Sequence, residues 1–243
     1  MALLVMVAGM VATPLFERSS DERLWLAFVV VGALFVCGLA SSVYSHGRRA
    51  IFAATGIVSF TFLVEVVGST TGFPFGSYAY TDRLVPQLFD VPVLVSFAWT
   101  GITLVVHAAL RDVRRGSAVR DRIVQIAVMS CAITAWDAFL DPQMVAEGYW
   151  VWEPASPSYR GIPLVNYLGW LFTAGITSSI ALFGCAAPRR TTHLPRIVYT
   201  TLAVLSTIGF LVFFDDVVVA MVGGVVMGIF VVVSFRVTAK HPT

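Results

Sequence analysis

Long apolar runs separated by short polar segments make up almost the whole chain. A transmembrane helix takes ~20 apolar residues, and the chain has about eight runs of roughly that length, at 1–16, 24–44, 50–70, 91–110, 123–144, 162–187, 197–214 and 217–235. The first of them lacks the basic region and the cleavage site of a signal peptide. The pattern therefore predicts an all-α polytopic membrane protein with about eight transmembrane helices, or seven if the first run does not span, in a single integral membrane domain that covers 1–243.

Composition indicates the same class of protein. Hydrophobic residues make up 58% of the 243 residues and charged residues 12%, whereas soluble domains have roughly 45–50% and about 25%. The helices and their connections leave no room for a soluble domain. The net charge of +2 is small, so the lipid bilayer is an expected partner and nucleic acid is not.

Basic residues indicate the orientation. The connection at 111–122 carries five arginines: Arg111, Arg114, Arg115, Arg120 and Arg122. Because such connections stay on the cytoplasmic side, alternation of eight spans predicts a multi-pass protein of the cell membrane with both termini in the cytoplasm. The same topology places the acids of the spans in the outer part of the bilayer.

Three acidic residues lie inside apolar runs: Glu65, Asp137 and Asp141. A charge near the middle of a membrane costs at least ~2.5–3.5 kcal/mol, so such acids usually face a protein interior and take part in chemistry or transport. Asp137 and Asp141 are four residues apart, which places both on one helix face. Burial and mutual repulsion would keep one of the two protonated near neutral pH, and able to donate a proton. The structural alternatives are a solvated helix end for Asp141 and an ion pair of Glu65 with Arg83 or Arg160.

Aromatic residues are concentrated on the two connections that follow these acids. Aromatic faces stabilise nearby cations, so buried acids beside such faces suit protonation of an alkene followed by a carbocation. Asn166 has both donors and acceptors, and either orients a water molecule or bonds a neighbouring helix. For any single aromatic residue, an interfacial belt is the alternative. The candidate substrate-binding residues are Trp136, Tyr78, Phe75, Trp99, Asn166, Tyr159, Arg160 and Trp170.

The two acid-bearing helix pairs, 50–110 and 123–187, resemble each other. Each pair has an acid, then a proline 26 or 27 residues later, then a tryptophan seven residues after the proline: Glu65, Pro92 and Trp99 in one, and Asp137, Pro163 and Trp170 in the other. Between the acid and the proline, the same comparison pairs the loop segment 76–78 of the first half with the loop segment 158–160 of the second half. This spacing predicts a parallel internal repeat with a site between the halves. Coincidence is the alternative, because proline at helix starts and tryptophan at membrane interfaces are common.

Cysteine and histidine residues are dispersed. Cys37, Cys131 and Cys185 lie in separate apolar runs, so neither a disulfide framework nor a thiolate metal site has the spacing that it needs. No pair of the four histidines lies at i, i+3 or i, i+4 with an acid partner. We therefore expect cysteines that serve in packing, and no metal site.

Several strings between Glu65 and Trp170 resemble a known family. The strings PFGSYAY with a VP start to the next helix, AWDAFLDPQMVAEGYWVW and YRGIPLVNYLGW are similar to the carotenoid biosynthesis family of 1′,2′-hydratases, of the bisanhydrobacterioruberin hydratase type. The flanking spans match only in hydropathy. The resemblance implies a hydro-lyase without a cofactor, which adds water to the terminal C1′,C2′ double bond of a long acyclic carotenoid such as lycopene. It also implies neighbouring enzymes of the carotenoid pathway as partners, and Asp137, Asp141 and Glu65 as acid and base residues.

Hydration of an alkene needs a proton donor, a pocket that tolerates a cation and a delivered water molecule. We assign proton donation to Asp137, or to its pair with Asp141, and deprotonation of the attacking water to Glu65 or the second aspartate. Two alternatives stay open. A carotenoid end-group cyclase also begins with alkene protonation, and a proton- or cation-coupled transporter also keeps acids among helices, although here the acids cluster at one membrane face.

Overall fold

Eight α-helices dominate the computed structural model, which describes residues 1–111, 113, 118–185 and 188–239. The helices are α1 Ala2–Ala12, α2 Asp21–His46, α3 Arg48–Thr71, α4 Val93–Leu110, α5 Val119–Ala146, α6 Leu164–Gly184, α7 Leu194–Val212 and α8 Val217–Ala239. Six short strands occupy the two connections α3–α4 and α5–α6, and a 3₁₀ turn, Thr13–Leu15, follows α1. The strands are β1 Tyr78–Tyr80, β2 Gln87–Leu88, β3 Val91–Pro92, β4 Trp150–Trp152, β5 Ser158–Tyr159 and β6 Ile162–Pro163.

Within the described residues, seven helices, α2 to α8, are long and apolar enough to cross a membrane. This confirms the all-α multi-pass class and the seven-span alternative. Helix α1 has 11 residues and is about 16 Å long at ~1.5 Å per residue, roughly half of the ~30 Å hydrocarbon core. The prediction of a first span over 1–16 is therefore wrong, because the 3₁₀ turn that contains Pro14 ends the helix early. Seven spans place the start of α2 and the end of α8 on opposite sides of the bilayer, so the prediction of two cytoplasmic termini, which rested on eight spans, no longer follows for both. The cytoplasmic placement of the C-terminus stays a prediction.

Helix α4 is the centre of the bundle. It packs against α2, α3, α5, α6, α7 and α8, and 78% of its span is buried. Its closest neighbour is α2, because both helices carry a glycine at the crossing point: a Cβ atom on Gly38 would lie 2.8 Å from the carbonyl oxygen of Gly101. Small residues at such crossings let two backbones approach closely inside a membrane. The position of α4 allows it to present side chains to both halves of the chain.

The two connections that carry the strands have corresponding structures. Strands β2 and β3 form one hairpin and β5 and β6 another, each with a turn of two residues at positive φ. Each hairpin ends in the proline that precedes the next helix, Pro92 before α4 and Pro163 before α6. Strands β1 and β4 then pair antiparallel with each other and join the two connections. The arrangement agrees with the predicted parallel repeat.

The structure corrects the alignment of the two loops. Tyr78 in β1 corresponds to Trp150 in β4, since both lie 13 residues after the acids Glu65 and Asp137. The segment 158–160 corresponds to the hairpin that starts at Gln87, and not to 76–78 as matched from the sequence. We call the end of the bundle that carries these connections the acid end, and the opposite end the basic end. Within the basic segments, Arg114, Arg115 and Lys240 lie outside the described residues, as does Ala187 at the predicted end of the sixth span.

Candidate active site

The three predicted acids are buried at the acid end of the bundle. Glu65 of α3 is 5% exposed, and Asp137 and Asp141 of α5 are 0% and 2% exposed. Helix α5 continues through Pro142 to Ala146, so Asp141 lies inside the helix, and the solvated helix end is not what the structure shows. The structure thus brings two acid-bearing helices of opposite halves to one place.

Glu65 accepts three hydrogen bonds. Tyr78 Oη and Tyr80 Oη donate to Glu65 Oε2 at 2.6 and 2.8 Å, and Trp99 Nε1 donates to Glu65 Oε1 at 2.9 Å. An ionised carboxylate is an acceptor only, so three convergent donors suit this form. The sequence-based alternative of an ion pair is not observed: Arg83 donates to the Ser19 carbonyl oxygen and Arg160 pairs with Asp216.

The two tyrosines reach Glu65 from strand β1. Residues two apart on a strand point to the same side, which lets Tyr78 and Tyr80 converge on one carboxyl group. Burial, followed by the charge of Glu65, raises the pKa of both phenols above the ordinary value. Both tyrosines therefore remain protonated hydrogen-bond donors at physiological pH.

Asp137 and Asp141 share a single donor. Asn166 Nδ2, on α6, donates to Asp137 Oδ2 at 2.9 Å and also to Asp141 Oδ2. Trp150 Nε1 donates to Asp141 Oδ1 at 2.9 Å, while the buried Asp137 Oδ1 has no hydrogen-bond partner among the described residues. Two carboxyl groups that share one amide nitrogen in a buried place resemble dyads that hold one proton between them.

A small cavity lies between these groups, and we call it the acid cavity. Its volume is about 30 Å³, which is room for one or two water molecules, since each needs at least ~10–15 Å³. Asp141, Glu65 and Asn166 line it directly, whereas Asp137 does not. The remaining polar and aromatic lining is formed by Phe75, Tyr78, Tyr80, Trp99, Trp150, Trp152 and Trp170.

An apolar groove of about 270 Å³ adjoins the acid cavity. The two spaces share four lining residues, Val95, Ala98, Leu140 and Trp150. The groove is lined by α1, α2, α4, α5 and α7, and several of its lining residues are exposed on the side of the bundle, among them Val11, Leu15, Ile208 and Phe213. An apolar molecule can therefore reach the acids sideways, through the face that the bilayer covers.

A wider polar space lies at the outer surface of the acid end. Its volume is about 730 Å³, and Arg18, Arg160, Asp215 and Asp216 are among its lining residues. It shares Gln143, Glu147 and Phe214 with the apolar groove. This space shares no lining residue with the acid cavity, so it meets the apolar groove and not the cavity itself.

Most of the predicted substrate-binding residues meet at the acid cavity, namely Phe75, Tyr78, Trp99, Asn166 and Trp170. Trp136 lines the apolar groove instead, and its ring meets that of Trp170 edge to face at 6.4 Å. Tyr159 and Arg160 do not line the cavity. Arg160 is in the turn of the second hairpin at φ 53°, which directs it to Asp216, and Tyr159 packs against Tyr167.

Six residues that line the cavity were not among the predicted site residues, and three of them are aromatic: Tyr80, Trp150 and Trp152. Two of them donate to the acids, Tyr80 to Glu65 and Trp150 to Asp141. The strings YAY and WVW carry the signal, because alternate aromatic residues predict short strands with one aromatic face. Their pairing as β1 and β4 places both faces at the acids.

Comparisons with known proteins agree with this picture at the level of the family. A family model described as "Carotenoid biosynthesis protein" matches residues 23–235. The chain is also similar to the curated protein "Bisanhydrobacterioruberin hydratase" of Haloarcula japonica, with 31% identity over 139 residues, which is 56% of this chain and 46% of that protein. The match thus spans less than half the length of the curated relative. No solved structure matches the chain.

Proposed function

We propose that this chain, which belongs to the carotenoid biosynthesis protein family, adds water to the terminal C1′,C2′ double bond of an acyclic carotenoid. The observation that carries the proposal is the acid cavity, where Asp141 and Glu65 face one space of about 30 Å³ that is lined by aromatic rings and adjoins an apolar groove. The name of the curated relative, a hydratase, supports the same reaction class.

Protonation of the alkene is assigned to the aspartate pair. Asp141 contacts the cavity, and Asp137 is joined to it through Asn166. With one proton shared by two carboxyl groups, Asp141 transfers it to C2′ and the pair is left ionised. The C2′–H bond forms as the π bond breaks, so the positive charge appears at the tertiary carbon C1′.

The aromatic lining stabilises the cation. A cation within ~6 Å of an aromatic face gains ~0.5–2 kcal/mol, more when the site is desolvated, and the stacked rings of Trp99 and Trp170 line the cavity. The charge also lies near the carboxylate of Glu65. These features favour formation of the cation in the acid cavity.

Capture by water completes the reaction. A water molecule in the cavity attacks C1′, and Glu65 takes its proton, which leaves a tertiary alcohol. The three donors on Glu65 hold the carboxylate in one orientation and leave an oxygen lone pair for the proton. Transfer of that proton back to the aspartate pair resets the site, and the net change is the addition of one water molecule without oxidation or reduction.

The apolar groove is assigned to the polyene chain next to the reacting end. Its volume of about 270 Å³ is close to the lower limit of pockets for drug-sized ligands, ~300–1,000 Å³, so a long carotenoid fits only in part. The rest of the polyene extends into the bilayer through the exposed side of the groove. We propose the cell membrane as the location of the protein, with the remainder of its substrate in the lipid.

The test is production of the protein in a host that accumulates an acyclic carotenoid, with growth in water enriched in oxygen-18. We expect pigments that are heavier by one water per modified end, with the heavy isotope in the new hydroxyl group, and no such pigment with Asp141→Asn. An isomer of unchanged mass would identify an end-group cyclase. Unchanged pigments together with ion flux in vesicles would identify a transporter, and either result would overturn the proposal.

A further inference from the structure

Two histidines and a cysteine meet at the basic end of the bundle, and we call them the His–Cys cluster. His46 is the last residue of α2, His107 lies in the last turn of α4, and Cys185 caps the C-terminus of α6. All three are buried, at 7%, 4% and 7% exposure. One ring nitrogen of each histidine and the Cys185 Sγ atom lie within 4.8 Å of one another.

Two groups of the cluster have unused ligand capacity. His107 Nδ1 is buried and has no hydrogen-bond partner among the described residues, and the Cys185 thiol forms no disulfide. A buried polar group without a partner is unfavourable, so a bound cation that uses this nitrogen removes a penalty. The rings of His46 and His107 are tilted by 43° with centroids 5.5 Å apart, which allows both to point at one ion.

We propose that the His–Cys cluster binds one thiophilic d¹⁰ metal ion, Zn²⁺ or Cu⁺. Imidazole nitrogen and thiolate sulfur are ligands that these ions share. Typical bonds are ~2.0–2.1 Å to nitrogen and ~2.3 Å to sulfur, so the three side chains close by about an ångström through rotation. The nearby Arg111 guanidinium opposes a cation, and the Cys185 thiolate offsets it.

The role of this metal site is separate from the proposed hydration. His107 lies eight residues after Trp99 on α4, about 12 Å along the helix at ~1.5 Å per residue, on the side away from the acids. A metal ion there connects the ends of α2, α4 and α6, and so fixes the central helix that presents Trp99 to Glu65. The metal site is therefore structural, and a finding that no metal binds would not argue against the proposed hydration.

The experiment measures metal in the purified full-length protein in detergent. After growth with added zinc or copper and extensive dialysis, we expect about one equivalent of one of the two metals per chain. Loss of a residue that only supports a metal ligand already lowers metal affinity ~10–100-fold. Loss of a ligand itself, in His107→Leu or Cys185→Ala, should therefore lower the metal retained after dialysis at least roughly tenfold. Matched controls are Cys37→Ala, a buried cysteine on α2, and His193→Leu, an exposed histidine, which should both keep the metal.

X-ray absorption at the metal edge provides a second measurement that needs no variant. One sulfur at ~2.3 Å with nitrogens at ~2.0–2.1 Å is the expected shell. Gel filtration and helix content show whether each variant has folded. Less than a tenth of an equivalent after incubation with both ions would overturn the proposal, and so would a metal content that Cys185→Ala leaves unchanged.

Discussion

The indole rings of Trp99 and Trp170 stack face to face, with centroids 3.9 Å apart and planes inclined by 25°. Each ring lies seven residues after the proline that ends a hairpin, so the stack joins equivalent positions of the two halves. Trp99 in addition donates Nε1 to Glu65. Both residues contribute an aromatic ring to the stack, but only Trp99 is described as donating a hydrogen bond to Glu65. Substitutions should therefore separate the effect of the aromatic ring from the effect of the hydrogen bond.

Replacement of Trp99 by Phe keeps an aromatic face and removes the hydrogen bond to Glu65. A hydrogen bond to a charged group contributes ~1.5–3 kcal/mol, so we expect the hydration rate to fall roughly ten- to hundredfold. The hydration rate of Trp170→Phe should stay within about tenfold of the original rate. Trp170→Leu loses the aromatic face near the cation, which should raise the barrier by up to a further ~2 kcal/mol, or lower the rate roughly thirtyfold. Equal losses for Trp99→Phe and Trp170→Phe, measured as product per folded protein, would contradict the distinction.

The aspartate pair predicts a joint effect of two substitutions. Asp141→Asn removes the group at the cavity, and Asp137→Asn removes the partner that shares its proton, so both should lower the rate by about 10²–10⁴. The double variant should be little worse than either single one, because the pair acts as a unit. Asp82→Asn, at an exposed loop position, is the control. If stably inserted Asp137→Asn keeps full activity, the shared-proton assignment is wrong.

Glu65 should be coupled to its two tyrosines. Glu65→Gln removes the base and should lower the rate by about 10²–10⁴, whereas Tyr78→Phe removes one donor at 2.6 Å and should cost roughly ten- to hundredfold. In Glu65→Gln the Tyr78→Phe change should add little, because its acceptor is no longer charged. A double-mutant cycle on the hydration rate tests this, with exposed Tyr44→Phe as control. Additive losses would mean that Tyr78 acts elsewhere.

The acids and the proline–tryptophan spacing could be predicted from the sequence because a membrane makes charge expensive and a repeat leaves equal distances. Glu65 and Asp137 were therefore identified without any contact information. Their donors were harder to identify. Trp150 reaches Asp141 only because β4 pairs with β1 across the two connections, and such long-range pairing is not visible in local hydropathy.

Two other features depended on tertiary structure for similar reasons. Hydropathy counts apolar residues and does not show that a 3₁₀ turn cuts α1 to 11 residues. His46, His107 and Cys185 are distant in the sequence, so rules based on i, i+3 and i, i+4 spacing cannot find a cluster formed by the ends of three helices. In both cases the missing information was where a helix ends relative to its neighbours.

Gly169 should be intolerant of a side chain. A Cβ atom there would lie 2.6 Å from the Pro74 carbonyl oxygen and 2.7 Å from the Phe75 ring, and Phe75 lines the acid cavity. Overpacking of this kind costs ~1–3 kcal/mol, so Gly169→Ala should lower both thermal stability and hydration. Gly32→Ala is the matched control, since a Cβ atom at this helical glycine meets nothing within 4 Å. Equal stability of the two variants would show that the loop moves away at no cost.

The buried ion pair of Arg23 and Glu147 should stabilise the acid end. Arg23 Nη1 donates to Glu147 Oε1 at 2.6 Å, and the backbone nitrogen of Ser19 donates to Glu147 Oε2 at 2.8 Å, so the turn before α2 is bound to the end of α5. Loss of one partner leaves a buried charge uncompensated, which costs ~3–5 kcal/mol. We expect Arg23→Met to lower the free energy of unfolding in detergent by about this amount, whereas Arg23→Met with Glu147→Met should recover most of it. Exposed Glu153→Gln should have little effect, and a double variant as unstable as Arg23→Met would show that the arginine stabilises through its packing rather than its charge.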